Sequence, residues 1–176
     1  MIDLNDTIFT TTLKEASKDD SDKNNVEYMT ESSLEVTNFD LVKTKYTNSL
    51  SLSEESATSV DALIQKDGIF YFIEFKNGVL KSSVKHEVKD KVRDSLLIYN
   101  DIKNITVSEN RINAVFILVY NEEKNKNKSA SVVNKLMGLA DEELISFGME
   151  RFKNLYFKEV HTYTEAQLEE FLKKTF

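Results

Sequence analysis

The segment SVDALIQKDGIFYFIEFKNG, residues 59–78, constrains the fold of this chain more than any other. Its Asp67-Gly68 dipeptide is typical of a two-residue β-hairpin turn, because both turn positions need a positive φ. On either side, residues 58–66 and 69–77 contain the apolar, β-branched and aromatic side chains that strands favour. We therefore predict two antiparallel strands joined at this dipeptide.

The second strand of this hairpin carries two charged residues, Glu74 and Lys76, in an otherwise apolar sequence. Side chains alternate between the two faces of a strand, so both residues share a face with Phe70 and Phe72. An ionised glutamate among such residues costs free energy unless another group pairs with it. The pattern therefore predicts a partner for Glu74.

Counting outward from the turn pairs Asp61 with Glu74, because the two residues are equally distant from the turn dipeptide. Like charges directly opposite each other destabilise a sheet. Either one carboxyl keeps a proton or a cation lies between the two, and two carboxylates suit Mg²⁺ or Mn²⁺. The plainer alternative is that Lys76 neutralises Glu74 while Asp61 caps the edge of its strand.

The aspartate, the hairpin and the tripeptide EFK at 74–76 together resemble the motif of the PD-(D/E)XK nuclease superfamily. Asp61 corresponds to the first acid of that motif, and Val60 stands where the superfamily is named for a proline. The resemblance covers residues 34–120, which would form a nuclease-like core. It implies a restriction-endonuclease-like α/β fold, with a mixed β-sheet and flanking helices.

The resemblance also implies roles for individual residues. Asp61, Glu74 and the backbone carbonyl of Phe75 would bind Mg²⁺ or Mn²⁺. Lys76 would position or help deprotonate the attacking water and stabilise negative charge on the phosphate. Such enzymes often add an acidic ligand from the preceding helix, and Glu35 is our choice over three competitors: Asp40, Glu54 and Glu55.

Residues 82–102 give the clearest helical pattern, with apolar side chains at steps of three and four. Lys91 lies at the border of the apolar stripe. The other flank carries three further basic residues: Lys85, Lys89 and Arg93. Residues 76–93 hold six basic residues against two acidic ones. These four basic side chains are candidate nucleic-acid contacts, and a solvated helix face is the alternative explanation.

The remaining patterns predict one domain over residues 1–176. Its further parts are a short element at 2–14, a polar loop at 15–33, a helix at 34–47, a buried strand at 111–120, an exposed loop at 121–128, and a C-terminal helix–strand–helix extension over 129–176, made of a helix at 129–147, a strand at 155–162 and a closing helix at 164–174 capped by Thr164.

Composition excludes several kinds of site. The chain has no cysteine and two histidines, so disulfides, thiolate zinc sites and histidine-based metal cages are excluded. Its four isolated glycines form neither a dinucleotide-binding nor a P-loop motif. No apolar run approaches the roughly 18 residues of a membrane span, and the acidic start is unlike a signal peptide. We expect a cytoplasmic protein without membrane contact.

The net charge of −7 is unevenly distributed, because residues 1–60 contain 12 acidic and five basic residues while the rest is balanced. A protein that bound nucleic acid through bulk charge alone would be basic. We therefore expect any nucleic-acid contact to use the local basic patch. The acidic residues 1–60 are a candidate surface for a basic protein partner.

These observations favour a divalent-metal-dependent nuclease, an endonuclease or exonuclease acting on DNA, with RNA as the second candidate polymer. The alternative is a catalytically weak or inert nuclease-fold binding module, such as an immunity-type or regulatory protein. A third possibility is hydrolysis of a small nucleotide. By analogy with proteins of similar size we expect a role in bacterial or phage defence, and a homodimer if two strands are cut.

Overall fold

The computed structural model describes residues 2–126 and 147–176. The helices of these residues are α1 (Leu13–Ala16), α2 (Phe39–Ser49), α3 (Ser82–Lys103), α4 (Val107–Asn113) and α5 (Glu165–Thr175). The strands are β1 (Thr10–Thr12), β2 (Lys18–Asp19), β3 (Glu27–Tyr28), β4 (Glu35–Asn38), β5 (Ala62–Lys66), β6 (Ile69–Lys76), β7 (Ala114–Tyr120) and β8 (Glu159–Thr164).

A mixed six-stranded sheet forms the centre of the fold, in the order β1-β4-β5-β6-β7-β8. Strands β1, β4, β5 and β6 are antiparallel neighbours, whereas β6, β7 and β8 run parallel. The chain crosses from β6 to β7 through α3 and α4. The predicted α/β architecture, a mixed sheet with flanking helices, is confirmed.

Alternate side chains of β6 and β7 enter two separate apolar layers. On one face Phe72 and Phe116 pack with residues of α2 and α3, and on the other Ile73 and Ile117 pack with residues of α1 and α5. Glu74 is two residues beyond Phe72, so it shares the face that α3 covers. This alternation brings the β6 carboxylate and the basic helix α3 together.

The hairpin has the predicted turn and register. Asp67 and Gly68 both have positive φ, at 51° and 78°, and the pairing runs from Lys66 with Ile69 at the turn outward to Ala62 with Ile73. Strand β5 is shorter than the predicted 58–66, because Thr58 and Val60 bond to α3 instead of extending the ladder.

The predicted helix at 34–47 is wrong at its start, where the chain forms strand β4 before α2 begins at Phe39. Val36 is buried against the sheet, and β4 pairs with both β1 and β5. The Asn38 side chain accepts a hydrogen bond from the backbone N–H of Leu41 and so caps α2. This cap and the neighbouring strands outweigh the helical spacing of the apolar residues.

The predicted polar loop at 15–33 is more structured than its composition indicates. It contains the end of α1 and a two-stranded antiparallel ribbon formed by β2 and β3. The Ser17 hydroxyl accepts hydrogen bonds from the backbone N–H groups of Met29 and Thr30, and all three residues are buried. These bonds hold the ribbon's base against the α1 side of the sheet.

The other elements agree with the predictions to different degrees. The helix expected at 82–102 is α3, and the closing helix is α5, where Thr164 and Gln167 form a capping box. Strand β7 begins three residues later than predicted because the analysis missed α4, although Thr106 and Glu109 are a recognisable capping signal. Strand β8 runs from Glu159 to Thr164, so it begins and ends later than the strand predicted at 155–162.

The interval 2–14 contains β1, the start of α1 and a short 3-10 turn at Thr7–Phe9. The helix predicted at 129–147 lies outside the described residues except for its last position, and so does the end of the loop at 121–128. Among the described helices, none combines the length and the apolar character needed to cross a bilayer.

Candidate active site

The segment that leads into Asp61 is held by helix α3 through two side chains. The carboxylate of Asp94 accepts hydrogen bonds from the backbone N–H and the hydroxyl of Thr58, at 2.9 and 3.1 Å. The next residue of α3 is Ser95, whose hydroxyl accepts the backbone N–H of Val60 at 2.8 Å. The approach to Asp61 is therefore fixed by a helix distant in the sequence.

Asp61 itself is held by backbone and side-chain bonds. Its N–H donates to the Ile73 carbonyl at 3.1 Å, and its carbonyl accepts the N–H of Phe39 at the start of α2. Its Oδ2 accepts the backbone N–H of Phe75 at 2.6 Å. The regular ladder ends one pair earlier, so Asp61 bonds across to the residues flanking Glu74 and its carboxylate turns toward β6.

Glu74 is fully buried, with no solvent exposure. Its Oε1 lies 3.0 Å from Lys76 Nζ and 2.8 Å from Lys91 Nζ. Lys91 Nζ is also 3.5 Å from Oδ1 of Asp61. The acids and Lys76 thus lie close together although Asp61 and Glu74 are not a pair of the ladder, and α3 adds a second ammonium that the hairpin alone could not reveal.

Both lysine contacts of Glu74 are made at Oε1, and Oε2 has no hydrogen-bond partner among the described residues. The two ammonium groups offset part of the desolvation cost of the buried carboxylate. Lys76 has a further partner, because its Nζ also donates to Oε1 of Glu87 on α3 at 2.8 Å. The two lysines thus contact one oxygen of Glu74, Oε1.

The electrostatics of Asp61 reflect this crowding. Burial, followed by the nearby charge of Glu74, raises the pKa of Asp61 well above its ordinary value, and a smaller contribution from Asp40 acts in the same direction. The charge of Lys91 and the hydrogen bond from Phe75 N–H oppose the rise but do not cancel it. The folded protein therefore holds a proton on Asp61 more tightly than an exposed aspartate would.

The two lysines respond in the opposite sense. Burial alone would lower the pKa of Lys91, but the charges of Glu74 and Asp61 outweigh burial and raise it. The pKa of Lys76 is raised in the same way, with burial opposed mainly by Glu74. Both side chains are therefore ammonium ions at neutral pH, and both add positive charge to the site.

A cleft of about 310 Å³ opens beside these groups. Asp61, Lys76 and Lys91 contribute to one side of it, and Lys18 and Asp19 of the β2–β3 ribbon contribute to the other. Lys76 and Lys91 are each less than one fifth exposed, so the ammonium groups border the cleft without extending into solvent. A small anionic group could reach them there.

Asn77 ties the ribbon to the sheet directly after Lys76. Its Nδ2 donates to Asp19 Oδ2 at 2.9 Å and also bonds to Glu27, and its Oδ1 accepts from Asn121 Nδ2 at 2.8 Å. Lys124 forms a 3.0 Å ion pair with Glu27. The sequence analysis missed Asn77; its position next to the EFK tripeptide was the signal available.

The predicted basic patch divides between two environments. Lys91 enters the carboxylate site, as described above. The other three face the segment that begins at residue 147. Lys85 Nζ lies 5.6 Å from the Phe147 ring centre, and Lys89 packs against Gly148. Arg93 lies 5.9 Å from the Phe152 ring centre and forms a 3.0 Å ion pair with Asp90. They do not share the cleft.

Glu35 is not on the helix where we predicted it, because it lies on β4, exposed and paired with Thr12. The acidic residue of α2 that acts on the site is Asp40, one of its competitors. Asp40 accepts a hydrogen bond from Ser59, and its charge contributes to the raised pKa values of Asp61 and Lys91. The helix boundary, which the sequence analysis misjudged, decides between the two residues.

A metal ion would find oxygen donors here but not a crowded cage. Across residues 2–126 and 147–176, no three His, Cys, Asp or Glu side chains come together as a metal cluster. Two carboxylates, Asp61 and Glu74, and the carbonyl of Phe75 remain. The carboxylate of Asp61 and Oε2 of Glu74, which has no hydrogen-bond partner among the described residues, fit a hard cation such as Mg²⁺ or Mn²⁺.

No protein-family model, curated protein or solved structure gives a significant match to this chain. The chemistry of the site therefore rests on its own residues and distances.

Proposed function

We propose that this protein is a divalent-metal-dependent nuclease that hydrolyses phosphodiester bonds of DNA. One observation carries the proposal: Asp61 and Lys76 line an open cleft, and Lys76 and Lys91 both contact the fully buried carboxylate of Glu74. A buried carboxylate pair beside a cleft has a large desolvation cost and no evident value for stability alone. Perturbed acids in a cleft are typical of functional sites.

Each residue has a role that its surroundings support. Asp61, Glu74 and the Phe75 carbonyl would hold Mg²⁺ or Mn²⁺, and such an ion acidifies water and offsets phosphate charge when bound. Phe75 N–H and the bonds to Thr58 and Val60 keep Asp61 oriented. Lys76, steadied by Glu87, provides positive charge where a phosphate gains negative charge during hydrolysis.

DNA is the proposed polymer because the motif resembles that of the PD-(D/E)XK nucleases, and RNA remains the second substrate. Lys91 is the basic residue of the predicted patch that borders the cleft, so it is the proposed phosphate contact. The acidic Asp19 on the facing ribbon works against long contacts with a highly charged duplex. The proposal is therefore a nuclease with limited contact to the nucleic-acid backbone.

A cleavage assay tests this proposal. The purified protein is incubated with Mg²⁺ or Mn²⁺ and with plasmid, single-stranded DNA or RNA. Cleavage is expected with metal, and Lys76→Met should reduce its rate by about 100-fold or more. Lys173→Met, which replaces an exposed lysine of α5, is the matched control and should cleave as wild type does. Absence of cleavage with every metal and substrate, or an unchanged rate in Lys76→Met, contradicts the proposal.

One observation favours a second candidate, a binding module without catalysis. Lys91 already bridges Asp61 and Glu74, so the acids are partly neutralised without any metal. In that case the acidic residues 1–60 would bind a basic protein surface. Calorimetry with Mn²⁺ that gives no heat, together with salt-sensitive binding of a lysine-rich peptide, would favour this candidate.

A further inference from the structure

The site contains two lysines that contact the same oxygen but differ in their other partners. Lys76 and Lys91 approach Oε1 of Glu74 from β6 and α3, at 3.0 and 2.8 Å. Lys76 also has Glu87, at 2.8 Å. Among the described residues, the ion pairs of Lys91 are with Glu74 and Asp61, the two proposed metal ligands.

This difference matters when another cation enters. A metal ion that bound both carboxylates would compete directly with the Lys91 ammonium, which lies between them. Lys76 would keep Glu87 as a partner, whereas Lys91 would lose both of its ion pairs at once. A buried ammonium without a counter-ion is costly, so Lys91 would turn toward the cleft that its side chain already borders.

We propose that Lys91 is a built-in counter-ion that occupies the metal position until a metal ion displaces it, and that the displaced ammonium then binds a phosphate group in the cleft. This inference rests on the proposed function and deepens it. Metal binding takes the two carboxylates from Lys91 and frees its ammonium for a phosphate group. Phosphate binding in turn draws Lys91 away and frees the carboxylates for a metal ion, so each binding event favours the other. Metal therefore binds weakly while the cleft is empty and more tightly once a phosphate group occupies it.

A measurement on the unmodified protein tests the displacement. Amines of the full chain are labelled with acetic anhydride with and without Mn²⁺, and modification of each lysine is followed by mass spectrometry. Labelling of Lys91 is expected to rise several-fold with Mn²⁺, while that of Lys76 changes less because Glu87 still holds it. Exposed Lys173 reports any general effect of the ion. Equal labelling of Lys91 with and without Mn²⁺ would overturn the proposal.

A variant tests the competition. Lys91→Met removes the ammonium but keeps a long apolar side chain, so Mn²⁺ alone, titrated by calorimetry, is expected to bind about tenfold tighter than to wild type. Lys85→Met, on the same helix but packed against Phe147, is the matched control and should bind as wild type does. Mn²⁺ should also raise the melting temperature of Lys91→Met more than that of either other protein.

The outcomes separate this inference from the proposed function. If wild type binds Mn²⁺ and cleaves DNA but Lys91→Met binds the ion no more tightly, the counter-ion role is wrong and the nuclease proposal stands. If neither protein binds Mn²⁺, both fail. If Lys91→Met does not fold without metal, the labelling of wild type decides the question by itself.

Discussion

At the scale of single residues, a hydrogen bond explains why valine, and not proline, occupies position 60. The superfamily is named for a proline at this position, but the backbone N–H of Val60 donates to the Ser95 hydroxyl at 2.8 Å. Proline has no N–H and could not make this bond. The hydrogen bond between Val60 and Ser95 therefore fixes the backbone that precedes Asp61.

Ser95→Ala should destabilise the protein by about 1–3 kcal/mol, because it leaves the buried N–H of Val60 without an acceptor. Urea denaturation followed by circular dichroism measures the change. Ser83→Ala, at an exposed position near the start of α3, is the control and should be neutral. An unchanged midpoint for Ser95→Ala would show that water or a local shift replaces the serine.

Asp61→Asn is expected to be more stable than wild type at pH 7, because the folded protein disfavours the ionised carboxyl. The raised pKa of Asp61 means that the folded state holds this proton more tightly than the unfolded state. Wild type therefore loses this part of its stability as pH rises from about 4, the unfolded pKa, through the raised folded pKa.

Urea midpoints measured between pH 3 and pH 7 check this expectation. The advantage of Asp61→Asn over wild type should be near zero at the acidic end and grow toward neutrality. Asp67→Asn, in the exposed hairpin turn, is the matched control and should show no such trend. A difference that is constant with pH would mean that Asp61 titrates normally in the folded protein.

At the scale of elements, the boundary between β4 and α2 decides which acid belongs to the helix. Asn38 ends the strand and caps the helix through its side chain, so Asp40 falls in the first turn of α2 and Glu35 stays on the strand. The sequence analysis read one helix because Leu34 and Leu41 suit helical spacing. Pairing of β4 with two neighbours, invisible in the local sequence, overrides that spacing.

Asn38→Ala should lower stability by about 1 kcal/mol through the loss of the α2 cap. Asn38→Asp keeps an acceptor at the same position and should retain most of the stability. Thermal melting of the three proteins distinguishes the cases. If both variants melt alike, the cap is not the reason that the helix begins at Phe39.

The β2–β3 ribbon is held to the sheet by Asn77, so Asn77→Ala should loosen it selectively. Amide hydrogen exchange of residues 18–28 is expected to accelerate, while exchange in β6 and β7 stays slow. Asn24→Ala, at an exposed position of the ribbon, is the control. Faster exchange throughout the chain would indicate general destabilisation instead of release of one wall of the cleft.

At the scale of the whole molecule, Phe72 connects segments that are far apart in the sequence. Its ring lies 6.0 Å from that of Phe39, 5.2 Å from that of Tyr99 and 5.7 Å from that of Phe157. These contacts join α2, α3 and the region before β8 on one face of the sheet. They connect distant parts of the described chain within one apolar layer.

Phe72→Ala should therefore cost about 3–5 kcal/mol and weaken the whole protein together. Urea unfolding followed by circular dichroism and by tyrosine fluorescence should still give one coincident transition at a lower midpoint. Leu97→Ala, exposed on α3, is the control with little expected effect. Separate transitions for the two probes would argue against one cooperative domain.

What the sequence determined by itself is local. The turn at Asp67-Gly68, the hairpin register as far as Ala62 and Ile73, and the helices α3 and α5 follow from turn chemistry, side-chain alternation and capping, each decided within some twenty residues of chain. The mixed α/β architecture followed from the order of these elements.

Only the tertiary structure decided which distant residues complete the site. Lys91 pairs with Asp61 across 30 residues, Asp40 approaches through a helix whose start was misjudged, and Asn77 binds Asp19 across 58. A polar side chain on a helix or loop has no preferred partner in its own sequence, because solvent satisfies it equally well there. Packing α3 and the ribbon against one sheet removes that solvent and makes the choice.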